Sequence, residues 1–485
     1  MASPQKKRIV AASPSGRRDE KKFYETRDRL SELPDILLGH VLSFLPTKEA
    51  GRAAELSRRW RHVFRNVHTV SFAERQGARA KDWTTFYYDA DEKKSCSHVL
   101  LDDVWNALLC RRRCARAHVP LRRLRVAFDD CHWWNEHHVD QWLAYVLRCS
   151  SNQELHLDLR FQLRPVCSRE PCGDRPGRRR GGGWYEMPRS LYSCVVLRSL
   201  RLSYCLLNLP EAAINLPFLE TLHLTAVDGD DSGTCVERLI ASCPRLVDLT
   251  LEADAGVERV SALDRRLRRF ALRCCHDVES VDIDASELVS LDYCGPVTDE
   301  QFLSLRGGAP AAIMSCTLNF CKVLSNDEAE FDRLRRFMEK FSGVKRLHLH
   351  HRRLPARSFD NGFPSFPNLT RLALQGPLLS PDAVRQILEQ TPNLEILSLF
   401  MERSVVPDES SFSIPCLRHR VREINMVHYE GDKLQRMMAR LLFRNALLLE
   451  RFCVVLVKGP LVLQHALKTE IESWVVAAHA EPIFL

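Results

Sequence analysis

At 485 residues the chain is long enough for several ordinary cores or for one elongated repeat array. Hydrophobic residues at 45% and charged residues at 27% match a soluble protein, and no apolar run approaches the ~18 residues of a membrane span. The formal net charge of +8 is spread along the chain and assigns no acidic partner. The 18 cysteines follow no disulfide or zinc spacing, so reduced and mostly buried thiols are expected. The polar, basic N-terminus lacks the apolar core of a signal peptide, which points to the cytosol or nucleus and away from membranes.

Residues 1–27 are rich in Pro, Ser, Gly and charge, the composition of a solvated tail. Lys6-Lys7-Arg8 and Arg17-Arg18 leave a nuclear-import address open. A compact helical segment follows over residues 28–67. Ser31 is placed to cap a first helix with Pro34 in its first turn, where a missing N–H costs nothing, and Asp35 suits the dipole there. Leu37, Val41 and Leu45 recur at i, i+4, i+8 with Ile36 and Phe44 alongside, whereas Leu38 and Leu42 lie off that face. A helix apolar nearly all round must be covered on two sides. Pro46 stops it, Thr47 is placed to cap a second helix through Leu56, and Trp60, Phe64 and Val67 mark a third. About forty residues cannot supply a self-sufficient core, so part of this surface meets another body.

The run Asp28-Arg29-Leu30-Ser31-Glu32-Leu33-Pro34-Asp35-Ile36-Leu37-Leu38, then Val41-Leu42-Ser43-Phe44-Leu45-Pro46, then Leu56-Ser57-Arg58-Arg59-Trp60-Arg61 resembles the F-box of plant F-box/leucine-rich-repeat proteins. The resemblance implies that the segment docks onto a Skp-type adaptor and, through it, a cullin–RING ubiquitin ligase. It implies Leu33, Pro34, Ile36, Leu37, Leu38, Val41, Leu42 and Leu45 as the adaptor-binding residues, with Trp60 holding the helices together. Glu55 departs from the pattern, since many relatives have an apolar residue there.

Residues 68–120 read as a linker and N-terminal cap. From Leu121 to about residue 415 the pattern L-x-x-L-x-L takes over, often with Pro two residues before its first leucine. Four copies are nearly identical: Pro217 with Leu219/Leu222/Leu224, Pro244 with Leu246/Leu249/Leu251, Pro367 with Leu369/Leu372/Leu374, and Pro392 with Leu394/Leu397/Leu399. Looser copies centre on Leu124, Leu200, Phe270, Leu291, Leu347 and Ile424, with one degenerate copy expected around Leu318. Spacings of about 21 to 27 residues are those of leucine-rich repeats. Each closing L-x-L should be a short strand with alternate residues inward, and each Pro should end the preceding helix or loop. Cys205 and Cys275, three residues past a closing leucine, occupy the slot where this repeat turns an Asn or Cys inward. Residues 164–183 interrupt the array with Pro, Gly181-Gly182-Gly183 and Arg178-Arg179-Arg180, a basic loop without the Lys-Ser/Thr of a phosphate loop.

Residues 416–485 change character again. A strand around residues 421–427, then Tyr429-Glu430-Gly431, a helix with Leu434, Met437, Met438, Leu441 and Leu442 on one face, and Asn445-Ala446-Leu447-Leu448-Leu449-Glu450 resemble the FBD region of plant F-box proteins. Leu449/Phe452/Val454 suits a last strand, so the region is expected to cap the open end of the array. The expected fold class is therefore α/β: a three-helix F-box followed by a curved leucine-rich-repeat solenoid.

Other chemistry finds little footing. Cys110, Cys114, Cys131, His132, His137 and His138 offer soft ligands at a spacing that fits no common zinc module. No nucleophile elbow, H-E-x-x-H or protease-type Cys context is present, so no catalytic residue, metal or cofactor is assigned. Dispersed Arg111-Arg112-Arg113, Arg178–Arg180 and Arg265-Arg266 lack interleaved aromatics and argue against nucleic acid. The expected function is the substrate-recognition subunit of an SCF-type ubiquitin ligase, non-catalytic itself, with repeats that bind an unknown protein target. The alternatives are a hormone-like small-molecule receptor on the same scaffold and an interaction module acting outside a ligase.

Overall fold

The computed structural model describes residues 32–64, 66–74, 90–112, 120–129, 131–149, 154–162, 184–211, 214–229, 234–253, 257–263, 265–307, 313–321, 328–352, 354, 362–377, 379–402 and 414–485. The basic tail and the basic loop at 164–183 lie outside them. Three short helices come first: α1 (Asp35–Leu42), α2 (Thr47–Glu55) and α3 (Arg58–Phe64). A longer helix, α4 (Ala90–Arg112), stands between the first strand, Thr69–Ala73, and the second, Arg123–Ala127. From Thr69 onward the backbone builds one 15-stranded sheet. Every neighbouring pair in it is parallel, so each connection crosses back over the same side and the chain winds as a solenoid.

The register stacks the repeats in phase. Leu222 pairs with Leu249, Leu249 with Phe270, and Phe270 with Leu291; further along, Leu347, Leu372, Leu397 and Ile424 stand side by side. These residues are buried and the residues between them face the open side, as a period of two requires. The prolines follow the end of the preceding helix or loop, as at Ala241 before Pro244 and Glu389 before Pro392, and also shape the turn into the strand. Pro217, Pro244, Pro367 and Pro392 each sit second in a tight turn closed by Leu219, Leu246, Leu369 or Leu394, whose N–H donates to the carbonyl of Leu216, Cys243, Phe366 or Thr391. Pro pre-sets φ for that position and forfeits no ladder bond, because its N–H would have no partner there.

The array is longer at both ends than the leucine pattern indicated. Val70 and Phe72 join the buried rows through pairing of Thr69–Ala73 with Arg123–Ala127, inside the stretch read as a linker and N-terminal cap. The strand Leu155–Arg160, which has no L-x-x-L lead-in, fills the interval before Leu200. The degenerate repeat is present, but Cys316 takes the middle slot between Leu291 and Leu347 while Leu318 takes the closing one. Glu481–Phe484 adds a strand beyond Arg451–Leu456. Cys205 and Cys275 are both buried, in keeping with the inward slot. Tyr204, Ala226, Ala253 and Cys274 have left-handed φ of 57°, 48°, 52° and 54°. Each directly follows a strand and passes its N–H to the next strand's carbonyl.

The side opposite the sheet is helical in some turns and extended in others. Cys235–Ala241, Glu328–Glu339 and Pro381–Glu389 are helices, whereas Arg259–Ala262, Ser280–Asp284 and Leu303–Arg306 form a second parallel sheet of three strands. In the C-terminal region the helix Lys433–Asn445 buries Leu434, Met438 and Leu442 with Gln435, Ala439 and Phe443, leaving Met437 and Leu441 half-buried. Asp432 caps it, accepting from the Gln435 N–H at 2.7 Å. The Gln435 Oε1 in turn accepts from the N–H groups of Glu430 (2.7 Å) and Gly431 (2.9 Å). Gly431 has φ +74°, and a Cβ there would lie 2.3 Å from Leu467 Cδ2. Only glycine allows that turn and that approach together.

Candidate adaptor-docking surface

Local hydrogen bonds set the three helices. Helix α1 starts at Asp35 with Pro34 in the flanking cap position, φ −57° and ψ 147°, rather than inside the first turn; Ser31 lies outside the described residues. Arg59 of α3 secures this start, its Nε donating to Asp35 Oδ1 at 3.0 Å and its guanidinium also reaching the Leu33 carbonyl. Ser57 caps α3 by accepting the Trp60 N–H at 3.2 Å. Thr47 does not cap α2, which begins after Pro46 without a side-chain cap. Its Oγ1 instead accepts the Ser71 N–H of the first strand at 2.7 Å. Ser43 Oγ donates to the Gly39 carbonyl and accepts the His68 N–H at 3.0 Å. With the Lys48–Asp103 ion pair of 2.8 Å, these contacts seat the helices on the first strand and on α4.

The apolar residues of α1 divide between two faces. Leu38 and Leu42 are buried with Ala50, Val63 and Val67 in the helices' own core, against which Leu33, Ala53, Trp60 and Phe64 pack in part. Gly39 permits the close approach, since a Cβ there would stand 2.6 Å from Asn66 Cβ. On the other face Ile36 is 68% exposed, Leu37 50%, Val41 43%, Phe44 76% and Leu45 43%; Pro34 is exposed as well. Leu38 and Leu42 are therefore corrected from adaptor-contacting to core residues: with essentially no surface they can only hold α1 against α2 and α3. Leu33 and Trp60 are half-buried and serve the same core from its edge.

Two exposed residues were not among the nine singled out. Phe44 lies one turn beyond His40, on whose ring it packs edge-on at 5.0 Å. Leu56, at the end of α2, is 80% exposed. A sequence signal existed for Phe44, at i+3 from Val41; Leu56 had none, because nothing local distinguishes an exposed leucine at a helix end from a buried one. Glu55, beside Leu56, is exposed. Its carboxylate stays in water and removes nothing from the helices' own core.

The open face of the sheet carries a row of paired charges. Asp158 receives Arg160 at 2.9 Å and Arg125 at 3.4 Å. Arg201 stands on the next strand, its pKa lowered by burial and by Arg160 and Arg125, with Asp158 opposing them. Two guanidinium groups thus pair with Asp158, while Arg201 feels both Asp158 and Glu252. Further along, Glu252 accepts from Thr225 at 3.1 Å and faces His223 at 3.5 Å. Burial works to raise the Glu252 pKa, but these bonds and Arg273 bring it below the usual value. Arg273 continues the row to Asp292 at 3.1 Å.

A small cavity at the edge of the sheet, lined by His351, Leu374, Gly376, Leu399, Phe400 and Met401, encloses about 10 Å³. That is room for one water, far below the several hundred Å³ of a drug-sized site. Among the described residues, the soft ligands considered in the sequence do not converge. His138 Nδ1 accepts from Trp105 Nε1, His137 pairs with Gln141, the Cys131 thiol points to the His132 carbonyl, and Cys114 lies outside the described residues. Among the described residues Cys274, His276 and Cys321 do converge. Their separation in sequence concealed it.

Comparison with known proteins agrees with this architecture. Residues 30–71 match the F-box domain, and residues 177–306 and 318–472 match the family described as "FBD-associated F-box protein At5g56370, LRR repeats". The chain belongs to the plant F-box/FBD/leucine-rich-repeat family. Relatives include F-box/LRR-repeat protein At4g14103 of Arabidopsis thaliana, 25% identical over 77% of this chain and 91% of the relative. F-box/FBD/LRR-repeat protein At2g26030 of the same plant is 25% identical, covering 84% of this chain and 88% of its own length. FBD-associated F-box protein At5g22730, also from Arabidopsis thaliana, is 24% identical over 88% of each chain. F-box/LRR proteins are typically non-catalytic adaptors, and F-box domains generally bind Skp-type adaptors. The outer face of α1 is an exposed apolar surface within the matched F-box.

Proposed function

We propose that this F-box/FBD/leucine-rich-repeat protein is the substrate-recognition subunit of an SCF-type cullin–RING ubiquitin ligase. The observation that carries the reading is the outer face of α1 and the turn after it, where Ile36, Leu37, Val41, Phe44 and Leu45 stay in water although Leu38 and Leu42 complete the core behind them. Soluble proteins rarely leave so concentrated an apolar face uncovered unless a partner takes it. A Skp-type adaptor covering it joins the solenoid to the ligase. The chain then contributes proximity, raising the effective concentration of a target's lysines near the transferring subunits, and supplies no reacting group.

The target belongs on the open face of the sheet. Side chains there are presented on a rigid ladder, and Arg125 and Arg160 pair with the one carboxylate of Asp158, leaving positive charge there for an acidic segment. The cytosol and the nucleus are where such a ligase would operate. The test is reconstitution of the full-length chain with a Skp-type adaptor, cullin and RING subunit. The expected result is a stable co-eluting complex that transfers ubiquitin to bound protein, with proximity labelling under ligase inhibition naming targets. A chain that fails to retain any Skp-type adaptor would overturn the assignment.

A further inference from the structure

We infer that Cys274, His276 and Cys321 form a binding site for a soft divalent metal ion of the zinc type. The three residues come from the ends of strands two apart in the sheet. Cys274 directly follows Arg269–Arg273, His276 lies two residues on, and Cys321 directly follows Ser315–Phe320. The intervening strand, Ser290–Gly295, is spanned from above, and the Cys321 N–H anchors to its Gly295 carbonyl at 3.1 Å. Parallel register places all these ends on one edge of the sheet.

The geometry is that of a ligand set. One donor atom of each residue lies within 4.8 Å of the others, and Cys321 Sγ is 3.9 Å from His276 Nε2. Tetrahedral zinc with Zn–S of about 2.3 Å and Zn–N of about 2.0 Å requires donor–donor separations of roughly 3.5–3.8 Å. The cluster therefore needs its donor separations to close by about 1 Å at most to seat an ion. Two thiolates and one neutral imidazole would neutralise a divalent charge, the two thiol protons leaving to solvent. The softness of the donors selects zinc over magnesium or calcium. Three protein ligands leave the fourth position to water.

Cys274 is buried, at 7% exposure, but lies outside the packing slot of the repeat. The inward cysteine slot of the repeat is taken by Cys275, next door, and is buried like Cys205. Cys274 instead occupies the left-handed position held by Tyr204, Ala226 and Ala253 elsewhere. His276 is exposed and Cys321 half-exposed, so an ion can enter. A second thiol, Cys294, stands 3.5 Å from Cys274. It belongs to the intervening strand, and the assignment does not use it.

The full-length protein, reduced and stripped with a chelator, is titrated with Zn²⁺ against a chromophoric competitor and separately with Co²⁺. One equivalent should bind, with a thiolate-to-cobalt charge-transfer band. Cys321→Ser and His276→Ala, both at accessible positions, should each weaken binding tenfold or more with the circular dichroism unchanged. Cys294→Ser should leave the stoichiometry intact. Absence of stoichiometric binding by the unaltered chain, or undiminished binding by both ligand variants, would overturn the site. Loss through Cys294→Ser alone would do the same, as would a Cys274–Cys294 disulfide in protein isolated without reductant.

Discussion

Replacing Ile36 and Phe44 together by alanine separates docking from folding. Their side chains are 68% and 76% exposed, so truncation opens no cavity within the F-box. Full burial of such a side chain is worth about 1.5–3 kcal/mol. An adaptor covering only the exposed part gains roughly 1–2 kcal/mol from each, and the pair about 2–4 kcal/mol. At ~1.4 kcal/mol per tenfold, Kd for a purified Skp-type adaptor should rise roughly 30- to 700-fold in calorimetric titration. Hydrogen exchange at Leu42 and Val63 should stay as in the unaltered chain. Leu38→Ala should do the reverse of what a docking residue would do. It empties a fully buried site at about 2–5 kcal/mol, more than a core this small can spare, and exchange protection across α1–α3 should collapse. Binding by the Ile36/Phe44 variant within threefold of the unaltered chain would refute the docking face.

In the C-terminal region, Gln435→Leu strands the N–H groups of Glu430 and Gly431. At about 1–3 kcal/mol per unsatisfied donor, exchange across Tyr429–Asn445 should speed by roughly 30-fold or more. Gly431→Ala meets both a left-handed φ and the Leu467 methyl. A loss of about 2–4 kcal/mol is expected by urea unfolding of that region, and combined with Leu467→Ala the two losses should be less than additive, because the truncation relieves the clash but not the φ. His351 is buried, and burial pushes its pKa down to about 4, with His350 adding to the effect. Between pH ~6.5 and ~4 the unfolded chain takes up a proton that the folded chain refuses, so stability present above that window falls by up to ~3 kcal/mol on acidification through it. A pH series of unfolding midpoints should show that slope, and His351→Gln should remove part of it; a flat profile over the window contradicts the buried neutral ring.

The rows that stack in register were legible because the repeat returns the same slot every 21 to 27 residues or so. Leu222, Leu249, Leu372 and Leu397 needed nothing beyond their spacing. Leu155–Arg160 was missed because His156-Leu157-Asp158-Leu159 lacks both the Pro turn and the leading leucine that mark other copies. Cys316 was passed over for Leu318 because a buried cysteine fills a leucine slot without resembling one. In the F-box the period of α1 correctly gave two apolar faces. It carried no information on which face turned inward, since that depends on α2 and α3 and on Gly39 letting Asn66 approach.

The open face of the sheet follows a different rule. Arg125, Asp158, Arg160 and Arg201 are adjacent in space only because successive strands pair in parallel, and no window along the chain contains them together. The same holds for Cys274, His276 and Cys321, whose last two members are 45 residues apart. In a solenoid the leucines that build the scaffold repeat along the sequence, whereas the groups that contact a partner or an ion are read across it. Recognition by this protein is therefore to be sought in columns of the register, and a substitution that shifts one strand by a residue would turn its whole contribution from the open face into the core.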